Sequence, residues 1–369
     1  MLIDAIKKAN SIVVLGHKHP DGDALGAVLA MGHFIKNEFG KMPVLAHEGV
    51  IPDNLRFLTN GWWLKKAEEI KSQAFDLMIL IDAADISKQL GDDGRAIFVN
   101  ARYKIKIDHH SNSVPQADEN IIEYVAATSE IIERISRENG WRITPQIATY
   151  LYTGIYTDTG GFVHDYTTCA TMTAAARMIE FGADPTMIAR RIAEKTKQTF
   201  LNNVETLART GFTENDNIGY FTYSVKRTAG ERPHRESSWL HQQVLTIKDV
   251  EASVAIKELD DNTLTVGVRS KGKTISTFCE EYGGGGHLHA AAFAFKGTTD
   301  EVIDEILPKL SEHLDRDEKY KKKDKKKKNK NKKADNDNEG DNAPDNGNRP
   351  APPDMPPSEP VAPERSVGG

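Results

Sequence analysis

Short apolar segments alternate with longer amphipathic segments through roughly the first half of the chain, and this alternation constrains the fold more than any other feature. The apolar segments have the length of strands and cover residues 11–16, 43–46, 75–81, 96–99 and 104–107. Residues 23–37, 128–137 and 147–156 carry apolar side chains at helical spacing. Continuous apolar strands that alternate with helices are typical of a parallel sheet covered on both faces. We therefore predict an α/β domain with a parallel sheet and helices on both of its faces.

The chain is predicted to divide into four parts. The α/β domain covers residues 1–185, and a helical connector covers residues 186–210. Residues 211–316 contain β-rich and helical segments separated by Asp, Asn and Gly turns, which predicts a smaller α+β domain. Residues 317–369 contain 8 of the 16 prolines and almost no apolar cluster, so we expect a disordered tail.

The formal charge of −6 averages over a strongly polarised tail. Residues 319–333 hold 11 Lys and one Asp, whereas residues 334–369 hold 8 acidic side chains and 2 Arg, which leaves −10 on the first 318 residues. An acidic body argues against binding of duplex DNA or RNA through a broad phosphate-contacting face. The Lys-rich segment could tether RNA, ribosomes or an anionic membrane, stay solvated, or neutralise the acidic extension. We favour a solvated segment or one that contacts RNA weakly.

Cysteine usage and hydropathy predict a cytoplasmic protein. Cys169 and Cys279 cannot form a disulfide framework, and both are expected to be core thiols. No apolar run approaches the roughly 18 residues of a membrane-spanning helix, and the N-terminus does not have the pattern of a signal peptide. The sequence does not set the oligomeric state, so a homodimer is left open.

Four polar clusters follow apolar segments, and they predict a metal site. The clusters are residues 17–23, 82–85, 108–110 and 157–162. Ligands of parallel sheets gather at the carboxyl ends of the strands, and carboxylates brought so close would repel one another without a cation. Oxygen and imidazole ligands without thiolate favour Mn²⁺, Mg²⁺ or Co²⁺ over a structural zinc site. We therefore predict a centre of two divalent metal ions, most consistent with Mn²⁺, of the kind that activates water and clamps phosphoryl oxygens.

The order of these clusters resembles that of the DHH phosphoesterase superfamily. The matching motifs are Asp-Gly-Asp at 21–23, Asp82 after a strand, Asp-His-His at 108–110 and Thr-Asp-Thr-Gly-Gly-Phe at 157–162. Arg269-Ser270 and the Gly-rich segment 283–291 resemble the DHH-associated C-terminal domain. Within the superfamily, the two-domain layout is similar to the bacterial nano-RNases, which are oligoribonucleases and also 3′-phosphoadenosine-5′-phosphate phosphatases.

The resemblance implies a set of ligands for each metal ion. The first ion would be held by His17, Asp21 and Asp82, and the second by Asp23, Asp82, His109 and Asp158. Asp82 would thus bridge the two ions, which agrees with its place after a strand predicted to be central. His19 is interpreted as a loop residue, and Asp85 as a less favoured ligand than Asp82.

The resemblance also implies roles for residues that do not bind metal. Asp108 would orient the ring of His109, and His110 would face the scissile phosphate as a hydrogen-bond donor or acid. A nucleotide would be held by residues of the second domain, namely Arg269, Ser270, Gly284, Gly285, Gly286 and His287. Arg can form two parallel hydrogen bonds to a phosphate, and a run of glycines could expose backbone N–H groups to it. Ala292 stands where the family usually has Gly, which could narrow the pocket for the base.

These features predict a Mn²⁺-dependent phosphoesterase. It would release 5′-mononucleotides from very short RNA and remove the 3′-phosphate of 3′-phosphoadenosine-5′-phosphate. Three alternatives stay open: a phosphodiesterase of linear or cyclic dinucleotide messengers, an inorganic pyrophosphatase, and a non-catalytic nucleotide-binding regulator.

Overall fold

The computed structural model of the chain describes residues 2–59, 64–224, 237–259 and 263–316. The predicted disordered tail, residues 317–369, lies outside the described residues. The chain up to Leu314 packs as one compact unit that contains two six-stranded sheets. We call the part built around the first sheet the N-terminal lobe and the part built around the second sheet the C-terminal lobe. The boundaries of the four predicted parts stay predictions.

The first sheet is parallel throughout, with the strand order β3-β2-β1-β4-β5-β6. Its strands are β1 (Ile12–Leu15), β2 (Val44–His47), β3 (Leu64–Lys66), β4 (Leu77–Ile81), β5 (Tyr103–Asp108) and β6 (Glu119–Ile122). The central strands β1 and β4 are buried along their whole length. The predicted parallel sheet is therefore confirmed, and β4, which leads to Asp82, lies in its middle.

Helices cover both faces of this sheet, as predicted. They are α1 (Leu2–Lys8), α2 (Gly22–Phe39), α3 (Ala67–Ile70), α4 (Ile86–Gln89), α5 (Asp92–Asn100), α6 (Thr128–Glu138), α7 (Pro145–Asp158) and α8 (Cys169–Glu180), with a 3₁₀ helix at Asp53–Thr59. Successive side chains of a strand point to opposite faces. Val14 and Ile79 accordingly pack in the core with α2, α6 and α7, whereas Val13 and Met78 pack in the core with α3 and α5.

One predicted strand is wrong. Residues 96–99 belong to helix α5, because four apolar residues are too few to distinguish a strand from one turn of a buried helix. Asp92 and Asp93 lie in the first turn of α5, where negative charge stabilises the positive end of the helix dipole.

The C-terminal lobe follows two connecting helices and has α+β architecture, as predicted. The connecting helices are α9 (Pro185–Ala193) and α10 (Lys197–Ala208). The strands are β7 (Gly211–Phe212), β8 (Ile218–Ser224), β9 (Ala252–Glu258), β10 (Thr263–Ser270), β11 (Gly285–His287) and β12 (Ala290–Lys296), in the order β11-β12-β10-β9-β8-β7. The helices are α11 (Ser237–Leu245), α12 (Ser276–Glu281), α13 (Thr299–Glu301), a π-helical turn at Val302–Ile306 and helical residues 307–316.

The two cysteines differ in exposure. Cys279 is buried in the core of the C-terminal lobe, as predicted, whereas Cys169 is exposed, so the prediction of a core thiol is wrong there. Cys169 begins α8, and its place in the first turn leaves it on the solvent side of the helix. Across the described residues, no helix is both long and apolar enough to cross a membrane.

Candidate metal centre

The carboxyl ends of β1, β4 and β5 lie side by side, because these three strands are neighbours in the first sheet. Asp82 follows β4 directly, and its backbone N–H donates to the carbonyl oxygen of Ile107 in β5 at 2.9 Å. The φ angle of Asp82 is 59°, in the left-handed region, which Asp tolerates better than most residues. The side chain of Asp82 is therefore held, buried, between the segments that follow β1 and β5.

Three overlapping groups of side chains each bring ligand atoms within 4.8 Å of one another. The groups are His17, Asp21 and Asp82; Asp23, His109 and Asp158; and Asp82, His109 and His110. Nε2 of His17 lies 3.3 Å from Oδ2 of Asp21 and 3.6 Å from Oδ2 of Asp82. Nε2 of His109 lies 3.1 Å from Oδ2 of Asp158 and 3.5 Å from Oδ1 of Asp82. The six residues predicted as metal ligands thus lie in one cluster with Asp82 between its two halves.

The ring of His109 has the orientation of a metal-binding histidine. Its Nδ1 lies 3.0 Å from the carbonyl oxygen of Val125, which can only accept, so Nδ1 carries a hydrogen and donates it. This contact directs Nε2 towards Asp158. The prediction that Asp108 orients this ring is wrong, because Oδ1 of Asp108 accepts the backbone N–H of His109 instead (3.0 Å). Oδ2 of Asp108 faces the buried Lys106. The carbonyl oxygen of Val125, and not Asp108, therefore orients the ring of His109.

Asp23 is held by helix α6, through contacts that the sequence pattern did not predict. Its Oδ2 accepts the backbone N–H of Thr128 at 2.6 Å, and its Oδ1 accepts that of Ser129 at 2.9 Å. The hydroxyl of Thr128 also donates to Oδ1 of Asp82 at 3.0 Å. The positive end of the α6 dipole thus stabilises two carboxylates of the cluster. The signal in the sequence was a Thr-Ser pair at the start of a predicted helix, where these residues are favoured.

The ionisation of the cluster shows that its negative charge requires compensation. Burial and the neighbouring carboxylates raise the pKa of Asp23 and of Asp158. Burial alone would oppose a charge on His109, but the hydrogen bond and charge of Asp158 raise its pKa to about 11. The pKa of His17 is raised in the same way by Asp21. The protonated rings of His17 and His109 therefore balance the negative charge of the carboxylates, as a divalent cation would do when bound.

His110 faces the same carboxylates from a different position. Its Nδ1 lies 2.7 Å from Oδ1 of Asp108 and 3.6 Å from Oδ1 of Asp82. Burial opposes a charge on His110, but the hydrogen bond to Asp108 and the charges of Asp82 and Asp108 together raise the pKa of the imidazole. The same hydrogen bond lowers the pKa of Asp108, against the effect of burial. The pair thus consists of a carboxylate acceptor and an imidazole held as a donor.

The C-terminal lobe presents Arg269 to the loop that follows α7. Burial and the charge of Arg269 both lower the pKa of His164. Burial raises the pKa of Tyr166, and the charge of Arg269 works against that rise. The hydroxyl of Tyr166 donates to the carbonyl oxygen of Asp158 at 2.8 Å, so this loop reaches the candidate metal centre. Arg269 donates to the carbonyl oxygen of Val268 at 2.9 Å, and among the described residues no carboxylate forms an ion pair with it.

The Gly-rich segment forms part of a sheet and not an open loop. The N–H of Gly284 donates to the carbonyl oxygen of Cys279 at 2.9 Å, so the prediction that this group is exposed to a phosphate is wrong. Gly285 and Gly286 belong to β11, which pairs with β12 at the edge of the sheet. Among the described residues, and apart from its two chain neighbours, no heavy atom lies within 4 Å of where a Cβ of Gly285 would be. The side chain of His287 lies outside the described residues.

Ser270 and His289 stabilise the turn beside Arg269. The hydroxyl of Ser270 donates to the carbonyl oxygen of Lys273, and its backbone N–H donates to that of His289. Nδ1 of His289 lies 2.7 Å from the same Lys273 carbonyl oxygen, and its Nε2 lies 2.8 Å from Oδ2 of Asp165 in the N-terminal lobe. Neither His289 nor Asp165 was predicted as a site residue, because no local pattern indicates a contact between residues so far apart.

The fold and the cluster define an α/β protein with a candidate two-metal centre at the carboxyl ends of its central strands. Residues 11–155 match the sequence model of the DHH family, N-terminal domain, so this part of the chain is a DHH-family domain. The resemblance indicated by the motifs is therefore confirmed.

Relatives of similar length match most of the chain. The protein is 25% identical over 321 residues to the "Bifunctional oligoribonuclease and PAP phosphatase NrnA" of Bacillus subtilis, covering 85% of this chain and 98% of the relative. It is 26% identical over 336 residues to the protein of the same name from Mycoplasma genitalium, covering 84% and 96%. A crystal structure of an exopolyphosphatase-related protein from Bacteroides fragilis superimposes with a TM-score of 0.76 at 22% identity, covering 86% and 96%. The last similarity shows the fold alone.

Proposed function

We propose that this protein is a metal-dependent phosphoesterase that degrades very short RNA to 5′-mononucleotides and removes the 3′-phosphate of 3′-phosphoadenosine-5′-phosphate. The observation that carries the proposal is the cluster of three overlapping groups of side chains that could hold metal ions. Asp82 and His109 each belong to two of these groups. The names of the relatives from B. subtilis and M. genitalium support the choice of substrates.

The donor set fits two divalent cations. The residues that would hold the first are His17, Asp21 and Asp82, and those that would hold the second are Asp23, Asp82, His109 and Asp158. The donors are carboxylate oxygens and imidazole nitrogens, which suit Mn²⁺. The Val125 carbonyl prepares the His109 ring for a ligand at Nε2. When bound, two such ions supply Lewis acidity towards water and phosphoryl oxygens.

His110 is the residue we assign to proton donation. Asp108 engages its Nδ1 and so fixes the orientation of the ring, and we assign its Nε2 to the substrate. The carboxylate of Asp108 raises the pKa of His110 and thereby favours the imidazolium form that can donate a proton. The leaving oxygen of a phosphoester needs this proton when its bond to phosphorus breaks.

Arg269 is the residue we assign to the phosphate that is not cleaved. It is a cation without a carboxylate partner among the described residues, and it lies across from the loop that joins Asp158. A guanidinium in this position can bind a phosphate through two hydrogen bonds. A single anchor of this kind suits mononucleotides and oligonucleotides of a few residues, since longer strands need more phosphate contacts.

The test is a side-by-side turnover assay of the full chain with Mn²⁺. The substrates are 5′-labelled RNA of about 2, 3, 5 and 24 nucleotides, 3′-phosphoadenosine-5′-phosphate, a cyclic dinucleotide and pyrophosphate. The proposal predicts that the shortest RNAs yield mononucleotides and that 3′-phosphoadenosine-5′-phosphate loses its 3′-phosphate. The variant Asp82→Asn, tested on the same panel, identifies any turnover that comes from a contaminating nuclease.

The other outcomes separate the alternatives. Turnover confined to dinucleotides would assign the protein to messenger degradation, and turnover confined to pyrophosphate would assign it to pyrophosphate hydrolysis. No turnover on any substrate, with Mn²⁺ bound, would overturn the proposed activity and favour a nucleotide-binding regulator.

A further inference from the structure

Lys106 is a buried cation behind the metal cluster. It lies in β5, and its side chain is 0 % exposed. Lys104, two residues earlier on the same face of the strand, is partly exposed and packs its ammonium over the ring of Phe98. A buried lysine is costly unless its charge and its donors are matched by partners.

The partners of Lys106 come from the segments on which the cluster is built. Its Nζ donates to the carbonyl oxygens of Ala84 at 2.7 Å and of Val114 at 2.9 Å. The N–H of Val114 also donates to the carbonyl oxygen of Ala84 at 2.8 Å. The ammonium therefore joins the segment after β4 to the segment after β5, and these segments carry Asp82 and His110.

The third partner is Asp108, whose Oδ2 lies 3.6 Å from Nζ of Lys106. Oδ1 of Asp108 accepts from the ring of His110, whereas Oδ2 forms no hydrogen bond in the described structure. The positive charge of Lys106 thus offsets a carboxylate charge that would otherwise be buried beside the ligands.

The backbone at Asp82 explains why such a support is needed. Its φ of 59° is unfavourable for a residue with a side chain and persists only where surrounding contacts impose it. The hydrogen bonds at Ala84, two residues later, are among the contacts that hold this turn.

We infer that Lys106 is a positioning residue of the metal centre, which acts through Ala84, Val114 and Asp108 and touches neither metal nor substrate. This inference rests on the proposed function, because it assumes that the cluster binds metal. It does not depend on which phosphoester is hydrolysed.

The test compares Mn²⁺ binding by the wild-type full chain with that of Lys106→Met and Lys106→Arg. Binding isotherms are measured by calorimetry and by the loss of the free Mn²⁺ signal in electron paramagnetic resonance. We expect Lys106→Met to weaken Mn²⁺ binding by about 10-fold or more, as is typical for residues that support metal ligands. Lys106→Arg keeps the charge and its donors and should restore most of that affinity.

Thermal unfolding without metal separates positioning from general stability. The matched control is Lys104→Met, which removes a lysine from the same face of the same strand and should leave Mn²⁺ affinity within about twofold of wild type. A purely structural role of Lys106 would lower the melting temperature of Lys106→Met while its folded fraction bound Mn²⁺ normally. That result, or equal losses in Lys106→Met and Lys106→Arg, would overturn the inference.

If Lys106→Met alone does not fold, the same substitution is tested in a protein that already carries Asp108→Asn. The double variant lacks both the ammonium and the carboxylate, so neither charge is left buried without its partner and the protein should fold. We expect it to bind Mn²⁺ at least about fivefold more weakly than Asp108→Asn alone, because the carbonyl contacts are lost. Equal affinities would contradict the inference, whereas a wild-type protein that binds no Mn²⁺ would contradict the proposed function itself.

Discussion

Oδ2 of Asp165 lies 2.8 Å from Nε2 of His289, so an ion pair joins the loop after α7 to the segment between β11 and β12. The same loop carries Tyr166, whose hydroxyl is bonded to the backbone of Asp158. The contact between the two lobes is therefore connected through a few side chains to Asp158, one of the proposed metal ligands.

Loss of this ion pair should affect substrate choice more than stability. Asp165 is 54% exposed, and pairs of this kind contribute up to about 1 kcal/mol to the free energy of unfolding. A double-mutant cycle with Asp165→Asn and His289→Ala, measured by urea unfolding, should give a coupling in that range. The ratio of kcat/KM for a five-nucleotide RNA to that for a dinucleotide should rise, because a contact between the two lobes is lost. Arg102→Gln, which breaks a surface pair with Asp76, should leave this ratio unchanged.

Asp82→Asn should abolish turnover, with a loss of at least about 100-fold, because Asp82 is shared between the two halves of the cluster. Asn also tolerates a left-handed φ, so the fold should persist, as circular dichroism would show. The matched control is Asp85→Asn, because Asp85 caps α4 through Ser87 and Asn caps helices equally well. Comparable losses of turnover in Asp82→Asn and Asp85→Asn would show that activity depends on the negative charge of residues 82–85 as a whole and that Asp82 has no special role.

Mn²⁺ binding should release protons at neutral pH. The pKa of His109 is raised to about 11 and that of His17 well above its usual range, so both rings carry protons in the metal-free protein. Only the neutral imidazole binds metal, so affinity should increase as pH rises from about 6 to 8. Calorimetry in two buffers of different ionisation enthalpy measures the protons released. A binding enthalpy independent of the buffer would show that the two rings are already neutral before Mn²⁺ binds.

Arg269→Ala should weaken nucleotide binding more than it slows hydrolysis of a small ester. A loss of about 1.5–3 kcal/mol is expected for a hydrogen bond to a charged group, which corresponds to a rise in KM of roughly 10- to 150-fold. Hydrolysis of a chromogenic phosphodiester should change little, since it has no second phosphate. Lys296→Ala removes an exposed cation from β12 in the same lobe and serves as the control. Equal effects of Arg269→Ala on the nucleotide and on the chromogenic ester would show that Arg269 does not bind the phosphate that is not cleaved.

Local pattern was sufficient to predict a parallel sheet, four of its six strands, and the polar segments whose side chains form the cluster, whereas β3 and β6 were not predicted. The strands that precede Asp82 and Asp108 are continuous apolar runs, and a parallel sheet brings their carboxyl ends together whatever the exact register. The pattern failed at residues 96–99, where four apolar residues were compatible with either a strand or a helix.

Supporting contacts could not be predicted, because they join residues far apart in the chain through backbone groups. Thr128 and Ser129 hold Asp23 through their N–H groups, and nothing in a residue's identity shows where its backbone donates. The exposure of Cys169 was likewise decided by which side of α8 meets solvent.

Strand periodicity and motif order are local properties, so the amino-acid sequence was enough to indicate which side chains could bind metal and the edge of the sheet at which they would meet. Three contacts became visible only in the folded chain: Val125 orients His109, Lys106 is buried behind the cluster, and His289 reaches Asp165. These contacts depend on the packing of whole helices and strands against one another. Packing is set by the summed burial of many side chains and is not encoded in any one segment.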